Sequence, residues 1–180
     1  MPAGTGSKNS THKFIAVCVA VIILIAGNCF FLKRISAALI KADKILVIKS
    51  KREMILLKKG KVLKTYKIAL GKHPVGKKVC SGDKRTPEGT YVLDYRKPDS
   101  KYHLALHLSY PNSNDIQNAQ KMGLSPGGDI MIHGLPDGYE DVDEFHRITD
   151  WTDGCIAVTN REIEEIWILV PVGIPVVIMP

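Results

Sequence analysis

The chain has 180 residues, enough for one domain with a hydrophobic core and a short additional segment. Its formal net charge is +7, but residues 1–42 contain five basic residues and no acidic residue, which leaves +2 for residues 43–180. The positive charge therefore lies mainly beside an apolar segment and forms no basic stripe with interleaved aromatic residues, which argues against nucleic-acid binding.

The apolar segment is the first predicted element, and it runs for 19 residues from Phe14 to Leu32 without a charged side chain. This length suits a helix that crosses a bilayer. A cleaved signal peptide has a shorter apolar core, about 7 to 15 residues, and small residues before the cut. We therefore predict an uncleaved transmembrane anchor at residues 14–32, preceded by a tail at 1–13 and followed by a tether at 33–42.

The basic residues around this segment bear on its orientation. Two precede it, and four follow it closely, namely Lys33, Arg34, Lys41 and Lys44. Counted alone, they would place the C-terminal domain in the cytoplasm by the positive-inside rule. This indication conflicts with the function argued below, which requires that domain outside the membrane.

From Lys44 onward the pattern is typical of short β-strands. Apolar and polar residues alternate in three runs, at residues 44–49, 53–59 and 61–70, and the turn near Gly60 separates the last two. These runs predict an antiparallel meander.

Further strands are predicted along the chain. The turn residues Thr86, Pro87 and Gly89 lead into a strand at 90–95, and a second strand follows at 103–109. The run DIMIH at 129–133 is typical of a short buried strand that ends at a histidine.

One helix and a last strand complete the prediction. Thr159 and Glu162 have the spacing of a capping box, which predicts a helix from Asn160 to Leu169. Pro171 and Gly173 end it, and IPVVIM forms the final strand. The fold class is therefore mainly β with one C-terminal helix, in a single domain at residues 43–180.

The four cysteines give no disulfide framework. Cys18 and Cys29 lie in the apolar segment, which leaves Cys80 and Cys155 in the domain. Cys80 lies in a polar loop and is interpreted as an incidental thiol.

Cys155 follows Thr152, Asp153 and Gly154, and this context suggests chemistry. Gly154 permits a tight turn in which amides around Asp153 to Cys155 point at one oxygen, as an oxyanion requires. His133 at the end of its strand offers a base for the thiol. The alternatives are a small buried cysteine that only packs and a core histidine with a satisfied hydrogen bond.

At these residues the chain resembles the L,D-transpeptidase catalytic domain family, which acts on peptidoglycan through a cysteine. The resemblance covers residues 43–180. It rests on the opening meander, TPEG at 86–89, IMIHG at 130–134, TDGC at 152–155 and the terminal VGIPVVI.

The resemblance implies a role for each matching residue. Cys155 would be the nucleophile and His133 its general base and acid. The carbonyl of Gly134 would orient the imidazole, and Asp153 to Cys155, with Gly154 between them, would form the oxyanion hole.

The sequence departs from the family pattern at two positions. Asp153 replaces the histidine that many members carry before the glycine, and Ala157 replaces an arginine that helps with substrate or loop positioning. In addition, LSYPNSND at 108–115 resembles a branch of the family with a SYPN motif, some of whose members hydrolyse attached peptides.

Four residues near these motifs are candidate substrate contacts, and three of them have a structural alternative. Trp151 and Thr152 precede the cysteine, and Trp151 would otherwise be a packing anchor. Tyr110 and Asn112, with Asp115, either line the cleft or only shape a turn at Pro111. The acidic segment at 137–146, which includes His146, is either a lid over the site or a polar surface.

No cofactor is expected. His103 and His107 share a strand face and, with His133 and Cys155, could be considered as zinc ligands. A zinc-bound Cys155 would not be a free nucleophile, and no further HxxH or CxxC pattern supports a metal site.

The sequence therefore predicts a membrane-anchored enzyme that transfers the acyl group of a peptidoglycan stem peptide through an acyl-enzyme. The alternative within the same fold is an L,D-carboxypeptidase or amide hydrolase that releases peptide or attached protein. A silent wall-binding module and a cytoplasmic cysteine hydrolase are the rival classes. The predicted location is the bacterial cytoplasmic membrane, single-pass, with the catalytic domain outside.

Overall fold

The computed structural model describes residues 40–180, apart from the side chains of Glu140, Asp143 and Glu144. The predicted anchor at 14–32 lies outside these residues. Among the helices of the described part of the chain, none is long and apolar enough to cross a membrane.

Three antiparallel strands open the domain, in agreement with the predicted meander: β1 (Lys44–Ile48), β2 (Glu53–Lys58) and β3 (Lys61–Lys67). Alternate residues of β1 and β2 are buried, so one face of this part of the sheet packs on the core. Lys59 and Gly60 join β2 to β3 with φ of 49° and 75°. Two successive positive φ values are what a two-residue type I′ hairpin turn requires.

The remaining strands extend these three into one eight-stranded sheet with the order β3-β2-β1-β8-β4-β5-β6-β7. Their bounds are Gly89–Ser100 (β4), His103–Leu108 (β5), Met131–His133 (β6), Ile156–Ala157 (β7) and Pro175–Met179 (β8). Strand β8 lies parallel to β1 and antiparallel to β4. The start of β4 pairs with β8 and its later part pairs with β5, so β4 joins the meander to the strands that carry the site.

Strand β4 is longer than the predicted 90–95 because it continues to Ser100. Pro98 masked this continuation in the sequence, since proline lacks a backbone N–H for the ladder. The pairing of β4 with β5 shifts between Lys97 and Ser100, and the strand accommodates the proline there.

Residues 40–180 contain two α-helices, which corrects the prediction of a single one for the domain. The predicted helix is α2 (Asn160–Leu169), and the capping box of Thr159 and Glu162 is formed at its start. The unpredicted helix is α1 (Ser113–Lys121). It buries only Asp115 and Ala119, so it has no apolar stripe from which a helical period could be recognised.

The core lies between the sheet and α2. Ile163 and Ile166 of α2 are fully buried and belong to one cluster with apolar side chains of β1, β2, β5, β6 and β8. Helix α2 packs against β5 and β6. Its first turn therefore lies close to the strand that ends at His133.

Candidate active site

His133 and Cys155 come together because β6 and β7 are neighbouring parallel strands. Ile132 pairs with Ile156 and His133 with Ala157, so Cys155, directly before β7, lies beside Met131. The Cys155 Sγ accepts a hydrogen bond from the Met131 backbone N–H. It also lies 3.5 Å from the carbonyl oxygen of Asp129, to which the thiol donates.

The orientation of the His133 imidazole is set by one short hydrogen bond. Its Nδ1 lies 2.7 Å from the carbonyl oxygen of Gly134, which can only accept, so the neutral ring carries its proton on Nδ1. Nε2 is then left with a free lone pair. The ring packs against Tyr102, with centroids 4.4 Å apart, and against the Trp151 ring at 5.7 Å.

Gly134 must be glycine because its surroundings leave no room for a side chain. A Cβ there would lie 2.5 Å from Oδ1 of Asn160 and 3.0 Å from the carbonyl oxygen of Tyr102. That Asn160 oxygen accepts a hydrogen bond of 2.7 Å from the Leu135 backbone N–H, so the start of α2 holds the chain directly after the histidine. Sequence reasoning missed Asn160, because nothing marks it apart from its place at the helix start.

The two titratable groups are both neutral near pH 7. Burial lowers the pKa of His133 to about 4, a shift that the Gly134 carbonyl partly offsets and the nearby His146 increases. Burial also raises the pKa of Cys155 to about 11. The Met131 N–H opposes this increase, whereas the carboxylates of Asp129 and Asp153 add to it. The resting pair is thus a thiol beside a neutral imidazole.

The loop before Cys155 is held by its own side chains. The Thr152 hydroxyl donates to the Cys155 carbonyl at 2.8 Å and accepts from the Gly154 N–H at 3.1 Å. Thr152 is buried and fully engaged, so the expectation that it contacts substrate is corrected. The Asp153 side chain is exposed and pairs with Lys72 at 3.4 Å.

This arrangement also leaves fewer backbone amides for the expected oxyanion hole. The Gly154 amide already donates to Thr152, so it is not available to a substrate oxygen. Among the described residues, the backbone N–H groups of Asp153 and Cys155 have no hydrogen-bond acceptor. Gly154 instead allows close packing, since its φ is +133° and a Cβ would lie 2.8 Å from the Arg85 carbonyl oxygen.

The TPEG turn at 86–89 holds the chain that packs against the loop at 152–155. The buried Thr86 hydroxyl accepts from the Gly71 N–H at 3.0 Å. Lys49 is also buried, and its ammonium contacts the Glu88 carboxylate at 2.7 Å and the carbonyl oxygens of Thr86 and Gly76 at 3.0 and 2.7 Å. The turn therefore fixes the backbone at Lys84 and Arg85 against the loop and contributes no reactive group.

Tyr110 and Asn112 were expected at the cleft, and the structure uses both of them elsewhere. Tyr110 is buried in the core, where its hydroxyl donates to the Pro126 carbonyl at 2.9 Å. The Asn112 side chain caps α1 by accepting from the backbone N–H groups of Asn114 and Asp115. The observed contacts of these two side chains therefore lie in the core and at the start of α1.

Trp151, whose ring lies 5.7 Å from that of His133, also lines a second cavity of about 410 Å³. This cavity is lined mainly by apolar residues of the segment 135–149, including Leu135, Val142 and Phe145, together with the buried His146. A 3₁₀ helix at Glu140–Ile148 occupies the segment that was predicted as a lid or a polar surface. Of its described side chains, Val142, Phe145 and His146 line this cavity.

The two other histidines of the sheet are paired with carboxylates and lie apart from Cys155. His103 lies 2.8 Å from Glu164, and His107 lies 2.7 Å from Asp94. Within residues 40–180, no three histidine, cysteine or carboxylate side chains are arranged to hold a metal ion.

An open cleft of about 480 Å³ is lined by both His133 and Cys155. Its floor is formed by Cys155, His133, Met131, Asp129 and Ala105. The β4–β5 hairpin forms its wall, with side chains that sequence reasoning did not assign to the site: Tyr95, Lys97, Asp99, Ser100, Lys101 and Tyr102. Alternation along β4 could have indicated them, had its end been predicted correctly.

Comparison with known proteins agrees with this geometry. Among curated proteins, the chain is 32% identical over 108 residues to YafK of Escherichia coli K12, which is assigned as an L,D-transpeptidase. The aligned part covers 59% of this chain and 36% of YafK.

Solved structures show the same similarity. The chain matches the helical cell shape determining protein Pgp2 of Campylobacter jejuni with 26% identity and a TM-score of 0.56, over 76% of this chain and 47% of Pgp2. It matches Bd1075 of Bdellovibrio bacteriovorus with 26% identity and a TM-score of 0.53, over 78% of this chain and 48% of Bd1075. The chain thus spans about a third of its curated relative and about half of each of these structures.

The family model of the L,D-transpeptidase catalytic domain, YkuD, matches residues 42–178, which is most of the chain. The chain belongs to this family of peptidoglycan enzymes.

Proposed function

We propose that the chain cleaves a peptide bond in peptidoglycan stem peptides through an acyl-enzyme on Cys155. The observation that carries this proposal is the placement of a thiol and an oriented imidazole on the floor of one open cleft. The donor, as the family resemblance implies, is a tetrapeptide stem cut after its L-configured centre at position three.

In the proposed first step, the Cys155 Sγ attacks the carbonyl carbon while His133 Nε2 takes the thiol proton. The C–N bond then breaks, the proton passes from Nε2 to the leaving amine nitrogen, and a thioester remains on Cys155. Neutral resting groups support this order, because His133 can accept a proton only if its Nε2 does not already carry one.

The tetrahedral intermediate of this step carries a negative oxygen that needs donors. The amides of Asp153 and Cys155 are the proposed donors, because they have no acceptor among the described residues. The Gly134 carbonyl stabilises the imidazolium that forms in the step, through its bond with Nδ1.

In the second step an amine of another stem, or water, attacks the thioester carbonyl and gives a proton to His133. The C–S bond breaks, and Sγ recovers that proton. Transfer to an amine is the proposed main reaction. Hydrolysis is the second candidate, and one observation favours it: Ala157 beside His133 is uncharged and fully buried, so no cation from β7 reaches the site.

Substitutions test the catalytic pair. Cys155→Ala should abolish turnover of a disaccharide tetrapeptide, and Cys155→Ser should nearly do so, since a hydroxyl is far less acidic than a thiol. His133→Ala should lower turnover by about 10²- to 10⁴-fold, the usual effect of a lost general base. Cys80→Ser is the matched control and should change little.

A reactive β-lactam of the penem type gives an independent readout. It should add its mass to the wild type and to Cys80→Ser but not to Cys155→Ala. An adduct on Cys80, or wild-type activity in folded Cys155→Ala, would show that the proposed mechanism is wrong. Product analysis with and without an amine acceptor separates transfer from hydrolysis.

The proposed organisation places residues 43–180 outside the cytoplasmic membrane, tethered through residues 33–42 to an anchor at 14–32. The location of peptidoglycan supports this side of the membrane, against the count of flanking charges. Alkaline phosphatase fused after residue 180 should be active, and a silent fusion beside an active cytoplasmic reporter would refute the topology. Because Pgp2 is a helical cell shape determining protein, we further propose a role in cell-wall shape.

A further inference from the structure

One row of paired residues crosses the sheet beneath the cleft. Lys97 of β4 pairs with Ala105 of β5, Ala105 pairs with His133 of β6, and His133 pairs with Ala157 of β7. Residues directly opposite one another on neighbouring strands share a face of the sheet. Lys97 therefore stands on the same face as the catalytic histidine, two strand spacings or about 10 Å away.

The residues around Lys97 leave its ammonium room to reach a bound substrate. Ala105, between Lys97 and His133, contributes only a methyl group to the cleft floor. The one ion pair of Lys97 within the described part of the chain is a loose contact of 3.6 Å with Asp99, whose carboxylate is 83% exposed. A substrate carboxylate can replace such a partner at little cost, because exposed ion pairs are weak.

Lys101 provides a second cation at the tip of the same hairpin. It is exposed, and no carboxylate of the described residues pairs with it. The hairpin tip is nevertheless fixed, since the Tyr102 carbonyl accepts from the Gly134 N–H at 3.1 Å and the Lys101 carbonyl accepts from the Asp137 N–H at 3.1 Å. The backbone that carries Lys101 is thus attached directly to the chain that follows His133.

Charge is distributed unevenly along the cleft. Asp129 and Asp153 lie near the thiol, where their charges raise the pKa of Cys155. Lys97 and Lys101 lie at the hairpin end, accompanied there by Asp99. An anionic group of a bound peptide is therefore attracted at the hairpin, whereas near the thiol the two carboxylates are partly offset by Lys78 and Lys72.

We propose that Lys97, together with Lys101, forms a subsite that binds a carboxylate of the acyl donor and so selects donors by their charge. This inference rests on the proposed function and names its substrate class: stem peptides with a free carboxylate, in preference to the same peptides with that carboxylate amidated. The exposed ring of Tyr95, stacked on His107 at 4.3 Å, borders this subsite and offers an apolar contact to the peptide.

The test compares two donors, a disaccharide tetrapeptide with free stem carboxylates and its amidated analogue. Wild type should prefer the free acid by about 10-fold or more, as expected for a charge-assisted hydrogen bond. Lys97→Met should lower kcat/KM for the free acid by about 10- to 100-fold and leave the amidated donor unchanged. Lys97→Arg should retain most of the preference, and Lys101→Met should show a smaller loss of the same kind.

Lys61→Met is the matched control, because it removes one exposed lysine from the edge strand β3, outside the cleft. Equal losses on both donors in Lys97→Met, or a wild type that does not distinguish them, would overturn the subsite. Calorimetric binding of both peptides to Cys155→Ala repeats the comparison without turnover. A wild type that turns over neither donor would refute the proposed function, and the binding ratio would still decide the subsite.

Discussion

The buried imidazole of His133 makes the stability of the domain depend on pH in a specific way. Its pKa falls from an ordinary 6.5 to about 4 on folding, so the unfolded chain binds the proton more tightly between these values. Stability from this group is fully present above about pH 6.5 and is lost as the pH falls toward 4. The free energy of unfolding should drop by about 2 kcal/mol at pH 5 and about 3 kcal/mol at pH 4 from this group alone.

The comparison that isolates this effect is His133→Asn, because asparagine places an N–H near the position of Nδ1 and cannot titrate. Urea denaturation of the purified wild type and variant between pH 8 and pH 4 gives two stability curves. All other titrating groups, including His146, are common to both, so the difference between the curves reports His133. Parallel curves, with a difference that varies by less than about 0.5 kcal/mol over this range, would refute the assignment of a depressed histidine pKa.

Two further predictions concern the support of the site. Gly134→Ala should destabilise the domain by about 1 to 3 kcal/mol, because its Cβ would lie 2.5 Å from Asn160 Oδ1. The control is Gly128→Ala, which should change thermal stability little because no atom lies within 4 Å of the added Cβ. Equal melting temperatures of the two variants would contradict this prediction. Lys49→Met should cost about 3 to 5 kcal/mol in urea denaturation, because it leaves the Glu88 carboxylate and two carbonyl oxygens without their cation. The exposed Lys51→Met is the control, and a comparably small effect of both variants would show that the buried pair is not needed.

The sequence was most informative where a backbone constraint and a reactive side chain coincide. The runs ending in His133-Gly134 and Gly154-Cys155 predicted a pair because glycine beside a reactive residue marks a close backbone approach, and the structure places both residues at one cleft. The strands β1 to β3 and the helix α2 followed from alternation and capping alone. These signals are local, so neighbouring residues in the chain were enough to recognise them.

The sequence was least informative where tertiary contacts decide the role of a residue. Tyr110 is a residue type that often contacts ligands, but its hydroxyl donates a hydrogen bond to the Pro126 carbonyl in the core. The amide of Gly154 was expected to point at an oxyanion, but it donates to the Thr152 hydroxyl. Helix α1 has no apolar stripe, yet the pairing of Asn112 with Asp115 at its start was a capping signal that could have been read.

The central position of β8 has a consequence for how the domain folds. This strand lies between β1 and β4, so residues near position 45 pair with residues near position 176. Before Pro175–Met179 are available, β8 cannot join the opening meander to β4 by strand pairing. Contacts so distant along the chain slow folding. A chain that emerges from its N-terminus therefore completes this sheet only after Pro175–Met179 are available.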